Sequence, residues 1–288
     1  MIYRPRMSRI VYVNGAYLPE QEAKVSIFDR GYVFADGIYE VASVLDGRLI
    51  DSARHRWRLE KSLTELSIAM PMPWEEIEHM ERELVRRNNI DQGMVYFQVT
   101  RGVADREFHY KSDTPPTLTA FTQARQLDPH PLEGCGVTVI TCPDLRWKRR
   151  DIKSISLLAQ VMAKQTAQAA GAYEAVMVED GFVTEGASSS VFIIDQHGHL
   201  IVRPGGGTDI LPGLTRQAML ELAADTHIDI RERAFTPEEL YQAREAFLTS
   251  ATAFVMPIVA ADGKQIATGK PGPIAMKLRK LFIALARA

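Results

Sequence analysis

Two apolar runs near the start of the chain are each divided by a two-residue turn. Residues 10–13 and 16–18 flank Asn14-Gly15, a dipeptide that favours the type I′ turn between two antiparallel strands. Residues 38–45 and 48–50 flank Asp46-Gly47 in the same way. The pattern therefore predicts two β-hairpins close to the N-terminus.

Apolar residues recur at helical spacing in other segments. Pro73 is a favoured first-turn residue, and Trp74 and Ile77 follow it on one face. The run Thr236-Pro237-Glu238-Glu239 provides an N-cap, a proline at the first helical position and a capping-box glutamate. Helices are predicted over residues 55–68, 73–85, 154–170, 214–224, from 237 onward and over 272–288. Further strands are predicted over residues 94–100, 117–122, 137–140, 174–178, 191–194 and 246–249.

A polar segment near the middle of the chain divides this pattern. Residues 123–131 are polar and end in Pro129-His130-Pro131. We expect an N-terminal α/β domain over residues 1–122, a linker over 123–133 and a C-terminal cofactor-binding domain over 134–288. Strands dominate each half with helices interspersed, so the predicted fold class is α/β (α+β) with two domains and a cleft between them, and an interdomain cleft is a usual place for a cofactor.

The composition is that of an ordinary soluble globular protein. The chain has 288 residues, 46% hydrophobic and 24% charged, with a formal net charge of −2, which argues against nucleic acid or an anionic membrane as a partner. No apolar run approaches the ~20 residues of a membrane span, and residues 1–6 are too short and polar for a secretory signal. Cys135 and Cys142 form no metal-ligand pattern, so we expect reduced thiols, no metal site and a cytoplasmic location.

One lysine and one glutamate stand in recognisable settings. Lys153 ends the run Asp151-Ile152-Lys153, and Glu185 lies in Thr184-Glu185-Gly186, followed by Ala187-Ser188-Ser189-Ser190. A deprotonated lysine amine forms a Schiff base with an aldehyde cofactor. A carboxylate against a pyridine nitrogen keeps that nitrogen protonated, so that the ring can draw electrons from a substrate carbanion. Together they suggest a pyridoxal 5′-phosphate site.

The order of these and other motifs resembles a known enzyme group. They are Asp29-Arg30-Gly31-Tyr32, Gly37-Ile38-Tyr39-Glu40, His55-Arg56-Trp57-Arg58-Leu59, Thr100-Arg101-Gly102, Asp151-Ile152-Lys153 and Thr184-Glu185-Gly186. Over residues 10–285 the chain is similar to the fold-type IV pyridoxal phosphate-dependent aminotransferases, most of all to D-amino acid transaminases. A branched-chain L-amino acid or R-selective amine transaminase is the alternative, followed by an aminodeoxychorismate lyase and by a cofactor-binding protein without turnover.

The resemblance implies roles at the cofactor. Lys153 would be the catalytic residue, and Glu185 would pair with the pyridine nitrogen. The cofactor phosphate would be held by Arg58, by the N–H groups of Leu214 and Thr215, and by the segment after residue 249, while Leu211 would lie near the ring face. In that segment Ser250 and Thr252 remain but Ala251 replaces a usual threonine, so we expect one hydrogen bond fewer and cofactor binding retained. Ser190 likewise replaces a common asparagine.

The resemblance also implies how the substrate is held. Tyr39 and Val41 share one face of a strand and would line the pocket. Arg106 matches the arginine that holds the substrate carboxylate, but the histidine expected two residues later is Phe108, and His109 follows it. The implied reaction is ping-pong transamination between a D-amino acid donor and a 2-keto acid acceptor. The implied assembly is a homodimer, in which loops of one subunit reach the other's site.

Overall fold

The computed structural model describes residues 8–288, and contacts within it divide the chain into two compact units. Unit 1 is Met1–Arg125 with Lys153–Ser156, and unit 2 is Gln126–Ile152 with Leu157–Ala288. The residues judged too polar for a secretory signal, 1–6, lie outside the described residues. Among those that are described, no helix has the length and apolar character needed to span a bilayer.

Unit 1 contains an antiparallel sheet whose strand order is β2-β1-β6-β5-β3-β4. Its strands are β1 Ile10–Val13, β2 Ala16–Pro19, β3 Gly37–Leu45, β4 Arg48–Leu49, β5 Gly93–Thr100 and β6 Thr117–Ala124. Its helices are α1 Arg30–Phe34, α2 Ser52–Glu65 and α3 Trp74–Arg87. Both predicted hairpins are confirmed. Asn14 and Gly15 have φ of 44° and 96°, the positive values that a type I′ turn requires.

The two faces of this sheet have different surroundings. Along β3, Ile38, Glu40 and Ala42 are buried, while Tyr39 and Val41 between them are only half-buried. Helix α2 packs against β3, and α3 packs against β1, β5 and β6. Because alternate residues of a strand point to opposite faces, Tyr39 and Val41 share the face opposite Glu40.

Unit 2 contains a mixed sheet with the order β12-β11-β10-β13-β14-β7-β8-β9, and β15 pairs with β14. Its strands are β7 Val137–Pro143, β8 Glu174–Glu179, β9 Phe182–Gly186, β10 Ser190–Ile194, β11 Leu200–Val202, β12 Ile230–Glu232, β13 Glu245–Ser250, β14 Phe254–Ala261 and β15 Lys264–Gln265. Its helices are α4 Leu158–Ala169, α5 Leu214–Asp225, α6 Pro237–Tyr241 and α7 Pro273–Arg287. Strand β7 is parallel to both β8 and β14. Mixed helix and sheet in both units agrees with the predicted α/β (α+β) class.

The helix predicted over residues 154–170 begins later, at Leu158. Residues 153–155 are held instead against the start of β3. Ser154 forms a β-bridge with Ile38, and the Ile155 N–H donates to the Gly37 carbonyl oxygen at 3.1 Å. These backbone hydrogen bonds satisfy the segment without a helix, and they place Lys153 beside β3, within unit 1. The domain limits 1–122, 123–133 and 134–288 stay a prediction.

Candidate active site

Lys153 is a buried lysine whose backbone is fixed on both sides. Its N–H donates to Ser62 Oγ at 3.3 Å, and its carbonyl oxygen accepts from the Tyr39 N–H at 3.0 Å. The side chain is 9% exposed, and Nζ lies 4.1 Å from the centroid of the Tyr39 ring. Within residues 8–288 no hydrogen bond or ion pair reaches Nζ. The amine therefore stands over an aromatic face, and no carboxylate of the described chain pairs with it.

An aromatic wall extends from Tyr39 across the sheet of unit 1. Tyr39 stacks on Tyr96 with ring centroids 5.5 Å apart, and Tyr96 stacks on Phe121 at 4.9 Å. The Tyr96 hydroxyl donates to Gln98 Oε1 at 2.9 Å, and burial raises the pKa of that phenol. Val41 lies directly opposite Tyr96 on the neighbouring strand. Sequence reasoning assigned Tyr96 and Gln98 no role, because alternation along a strand identifies a face and not what it packs against.

Arg58 belongs to a buried charge cluster and is not a surface cation. Its Nε and Nη2 donate to the two carboxylate oxygens of Glu40 at 2.8 and 2.7 Å. His55 Nδ1 lies 2.7 Å from Glu40 Oε2. Burial opposes ionisation of Glu40, yet the Arg58 guanidinium and His55 hold its pKa well below the usual range. The paired bonds fix the plane of the guanidinium and occupy its Nε and Nη2 fork, so the phosphate role of Arg58 stays a prediction.

Replacing Arg58 with methionine should destabilise the fold by about 3–5 kcal/mol, because it leaves the Glu40 carboxylate buried without its arginine. Denaturant unfolding of the cofactor-free protein measures this effect. The double variant Arg58→Met with Glu40→Gln is the matched control, since it removes both charges and should recover much of the lost stability. The dissociation constant of pyridoxal phosphate for the double variant then tests the phosphate role, and an unchanged constant would contradict it.

Glu185 is a buried carboxylate on β9 with one oxygen fully engaged. Its Oε1 accepts from Arg146 Nη1 in a very short contact and from the Leu211 N–H at 3.1 Å. Nothing in the described part of the chain donates a hydrogen bond to Oε2. Burial raises the pKa of Glu185, and the Arg146 guanidinium opposes that rise. The open oxygen is therefore available to a cationic N–H, which would favour the ionised form.

Arg146 and Asp144 are functional candidates that sequence reasoning missed. Arg146 Nε and Nη2 donate to Asp144 Oδ1 and Oδ2 at 2.9 and 2.7 Å, and the Thr184 hydroxyl donates to Oδ2 at 2.6 Å. Burial opposes ionisation of Asp144, but these hydrogen bonds hold its pKa at about 2. The partners of Asp144 are two and 40 residues away, so no local motif marks the group.

The turn before α5 has the features of an anion site. Gly213 is the N-cap without a side-chain cap hydrogen bond, so the N–H groups of Leu214 and Thr215 open the helix uncapped. A Cβ at Gly213 would come 2.9 Å from Ser190 Oγ, which explains the glycine and places Ser190 against this turn. In the neighbouring strand β13, Thr249 Oγ1 is buried without a hydrogen-bond partner in the described chain.

The segment after β13 does not present a simple row of free hydroxyl groups. Ser250 Oγ accepts from the Ala253 N–H at 3.1 Å, so this hydroxyl already stabilises its own turn. Its hydroxyl proton remains to be donated to an anion. Ala251 is half-buried and has no hydroxyl to contribute. The phosphate roles of both residues stay predictions.

Arg106, Phe108 and His109 all lie on an exposed loop of unit 1. The guanidinium carbon of Arg106 is 5.3 Å from the centroid of the Phe34 ring and 5.7 Å from that of Phe108. Within residues 8–288 no hydrogen bond, ion pair or ring contact joins Arg106 or His109 to Tyr39. The substrate-binding roles of these residues stay predictions. Phe108 is 81% exposed although its ring lies 5.5 Å from that of Phe34, so most of this large apolar side chain faces away from its own chain.

These features suit pyridoxal phosphate. An unpaired buried amine, a buried carboxylate with an open oxygen and an uncapped helix N-terminus are the groups that an aldehyde, a pyridine nitrogen and a phosphate require. Lys153, Glu185 and the turn at Leu211–Thr215 supply them. The aromatic face of Tyr39 adds a flat apolar surface next to the amine.

Comparison with known proteins gives a consistent result. Residues 37–261 match the family model for amino-transferase class IV. The D-alanine aminotransferase of Bacillus licheniformis is 42% identical over 264 residues, 92% of each chain. That of Staphylococcus haemolyticus is 39% identical over 273 residues, 94% of this chain and 96% of the relative.

Solved structures resemble the fold. The branched-chain amino acid aminotransferase of Escherichia coli superposes with a TM-score of 0.90 at 20% identity, covering 97% of this chain and 95% of the other. A hypothetical aminotransferase from Mycobacterium tuberculosis in its PLP-bound form gives 0.81 at 24% identity, covering 96% and 98%. At such identities the likeness concerns the fold alone.

Proposed function

Because this chain belongs to the class IV aminotransferases, we propose that it moves an amino group between a D-amino acid and a 2-keto acid. Membership of the family makes it a pyridoxal phosphate-dependent transaminase. The preference for D-amino acids is supported by the D-alanine aminotransferases, with 42% and 39% identity over nearly the full length of both chains.

We propose these roles for the residues at the cofactor. Lys153 would hold the cofactor covalently through Nζ and, once the donor amine has displaced it, the Nζ amine would accept the proton that leaves the substrate Cα. Glu185 holds a proton on the ring nitrogen through its open Oε2. Arg58, Ser250 and the N–H groups of Leu214 and Thr215 hold the phosphate. When bound, the cofactor supplies an aldehyde that carries the amino group and a ring that draws electrons from Cα.

Substrate binding is assigned to Tyr39, Val41, Arg106 and His109. Tyr39 is next to Nζ of Lys153, so groups on its face lie near the reacting atoms. Arg106 provides a fork of donors for a carboxylate, and His109 lies on the same loop. We further propose that the protein is a cytoplasmic homodimer in which this loop reaches the site of the partner. The exposed Tyr32, Val103 and Phe108 around the loop support such an association.

One observation favours a second candidate, a branched-chain L-amino acid or R-selective amine transaminase. Phe108 stands where D-amino acid transaminases carry a histidine, and an apolar ring there suits an apolar substrate group better than a carboxylate. The D-amino acid assignment is preferred because of the relatives at 42% and 39% identity.

A panel of amino donors separates these candidates. D-alanine, D-glutamate, L-leucine and R-1-phenylethylamine are each supplied with pyruvate or 2-oxoglutarate, and keto acid or ketone formation is measured. D-alanine or D-glutamate should give the highest kcat/KM. Faster reaction with L-leucine than with either D-amino acid would contradict the proposal.

The variant Arg106→Ala tests how the carboxylate is held. It should reduce kcat/KM for D-amino acids roughly 30- to 1000-fold, about 2–4 kcal/mol for one bidentate pair, while sparing an amine without a carboxylate. Lys111→Ala is the matched control, because it removes an exposed cation from the same loop. Equal activity of the two variants toward D-alanine would show that the carboxylate is held elsewhere.

A further inference from the structure

A row of alternating charges leads from the surface of unit 2 to Glu185. Lys148 Nζ, on a side chain that is 75% exposed, lies 2.5 Å from Glu179 Oε1. Glu179 accepts from both terminal nitrogens of Arg150 at 2.8 and 2.9 Å. Arg150 Nη1 lies 3.6 Å from Asp144 Oδ2, and Asp144 accepts from Arg146. The row ends where Arg146 reaches Glu185.

Arg146 divides its guanidinium unequally between two carboxylates. Asp144 receives two of its N–H groups in a bidentate fork, and Glu185 receives one. All three side chains are almost completely buried, so charges in this group act on one another with little screening by solvent. Asp144 therefore neutralises more of the Arg146 charge than Glu185 does, and the negative charge of Glu185 is left less neutralised than that of Asp144.

We propose that Asp144 is a positioning residue that limits the hold of Arg146 on Glu185 and so sets how firmly Glu185 keeps a proton on the cofactor ring nitrogen. The inference rests on the proposed role of Glu185. Without the Asp144 charge, Arg146 is free to turn its fork toward Glu185. The Arg146 charge, no longer neutralised by Asp144, and a second hydrogen bond from Arg146 to Glu185 then both weaken Glu185 as the partner of a cationic ring.

Glu179, nearer the surface, also affects how Arg146 is divided between Asp144 and Glu185. It neutralises Arg150, which otherwise competes with Arg146 for Asp144 Oδ2. Removing the Glu179 charge should therefore act in the same direction as removing that of Asp144, with a smaller effect, because it is one ion pair further from Glu185.

The first measurement uses cofactor labelled with ¹⁵N in the ring, bound to the full-length protein at neutral pH. In Asp144→Asn the ring nitrogen signal should move toward that of unprotonated pyridine. The second measurement compares dissociation constants for pyridoxal phosphate and its 1-deaza analogue, which has carbon in place of the ring nitrogen. Asp144→Asn should weaken pyridoxal phosphate roughly tenfold, equivalent to about one pKa unit, and leave the analogue nearly unchanged.

Two other variants complete the test. Thr184→Val removes a hydrogen bond from Asp144 without changing charge, so it should leave the ring nitrogen signal unmoved. Glu179→Gln, at a partly exposed position, should give a smaller shift in the same direction as Asp144→Asn and serves if the asparagine variant does not fold. An unmoved ring nitrogen signal in Glu179→Gln and in any folded Asp144→Asn would overturn the proposal. So would Asp144→Asn if it weakened the binding of pyridoxal phosphate and of the 1-deaza analogue equally.

The failure of the proposed function would look different. If Glu185→Ala leaves the ring nitrogen signal of the bound cofactor unchanged, then Glu185 is not the partner of the ring. In that case the role of Glu185 fails, and that of Asp144 falls with it. A signal that responds to Glu185→Ala but to neither outer variant overturns the role of Asp144 alone.

Discussion

Replacing Lys153 with alanine should reduce transamination by about 10⁴-fold or more, because the proposed mechanism gives this one residue both the covalent link and the proton transfer. The fold should be retained, since Lys153 is held through its backbone hydrogen bonds to Ser62 and Tyr39 and its Nζ forms no ion pair in the described chain. Single-turnover keto acid formation from D-alanine measures the loss.

Two variants sharpen this result. Lys153→Arg keeps a long, basic side chain next to the Tyr39 ring but cannot form the covalent link, so it should be as inactive as the alanine variant. Lys280→Ala removes an exposed lysine and should remain active. Borohydride reduction of wild-type protein with cofactor should label a peptide that contains Lys153. Label on Lys164, whose amine is paired with Glu174 at 2.9 Å, would overturn the assignment.

Replacing Glu185 with alanine should lower kcat by about 10²- to 10³-fold in a protein that still folds and binds cofactor. The reason is electrostatic, since an unprotonated ring stabilises a carbanion poorly. Folding should persist because Arg146 keeps its bidentate partner Asp144 and is not left with an uncompensated buried charge. Steady-state kcat together with far-ultraviolet circular dichroism tests both statements.

Glu185→Gln separates charge from shape. Glutamine keeps an oxygen that can accept from the Leu211 N–H, but it lacks the negative charge. It should therefore be impaired as severely as the alanine variant. Near-normal rates in either variant would mean that another group protonates the ring.

Features of the fold with a local cause were predictable from sequence. The turns at Asn14-Gly15 and Asp46-Gly47 depend on two residues that tolerate positive φ, and both have it. The capping box at Thr236 and Glu239 is present with both of its hydrogen bonds. In each case the interaction that forms the element lies within four residues of sequence.

Features with a distant cause were not predictable. Strand β14 was missed because Pro257 cannot donate to a ladder and argues against an interior strand, yet the strand lies between β13 and β7. Strand β9, which positions Glu185, was missed as well. The late start of α4 depends on pairing of Ser154 with Ile38, far away in sequence.

The candidate site also contains residues that sequence could identify and contacts that it could not. Lys153, Glu185 and Arg58 could be chosen because each stands in a short motif. The partners of Glu185 and Arg58 could not be assigned, since a bond such as that between Arg58 and Glu40 joins different elements. Glu40 and His55 belong to sequence motifs of the resemblance, but the motifs gave them no role. Only their burial beside Arg58 shows that they form a charge cluster with it.

The loop that carries Arg106 is held by its backbone. Arg30 donates to the carbonyl oxygens of Glu107 and Phe108 at 2.6 and 3.4 Å, and Asp36 holds Arg30 in place. Every residue has a main-chain carbonyl oxygen, so these hydrogen bonds do not depend on which side chains the loop carries. These hydrogen bonds therefore remain available whichever residues occupy the exposed positions 106, 108 and 109. Under the proposed assignment of this loop to substrate binding, natural drift or laboratory selection can change the substrate range while the backbone hydrogen bonds that hold the loop persist.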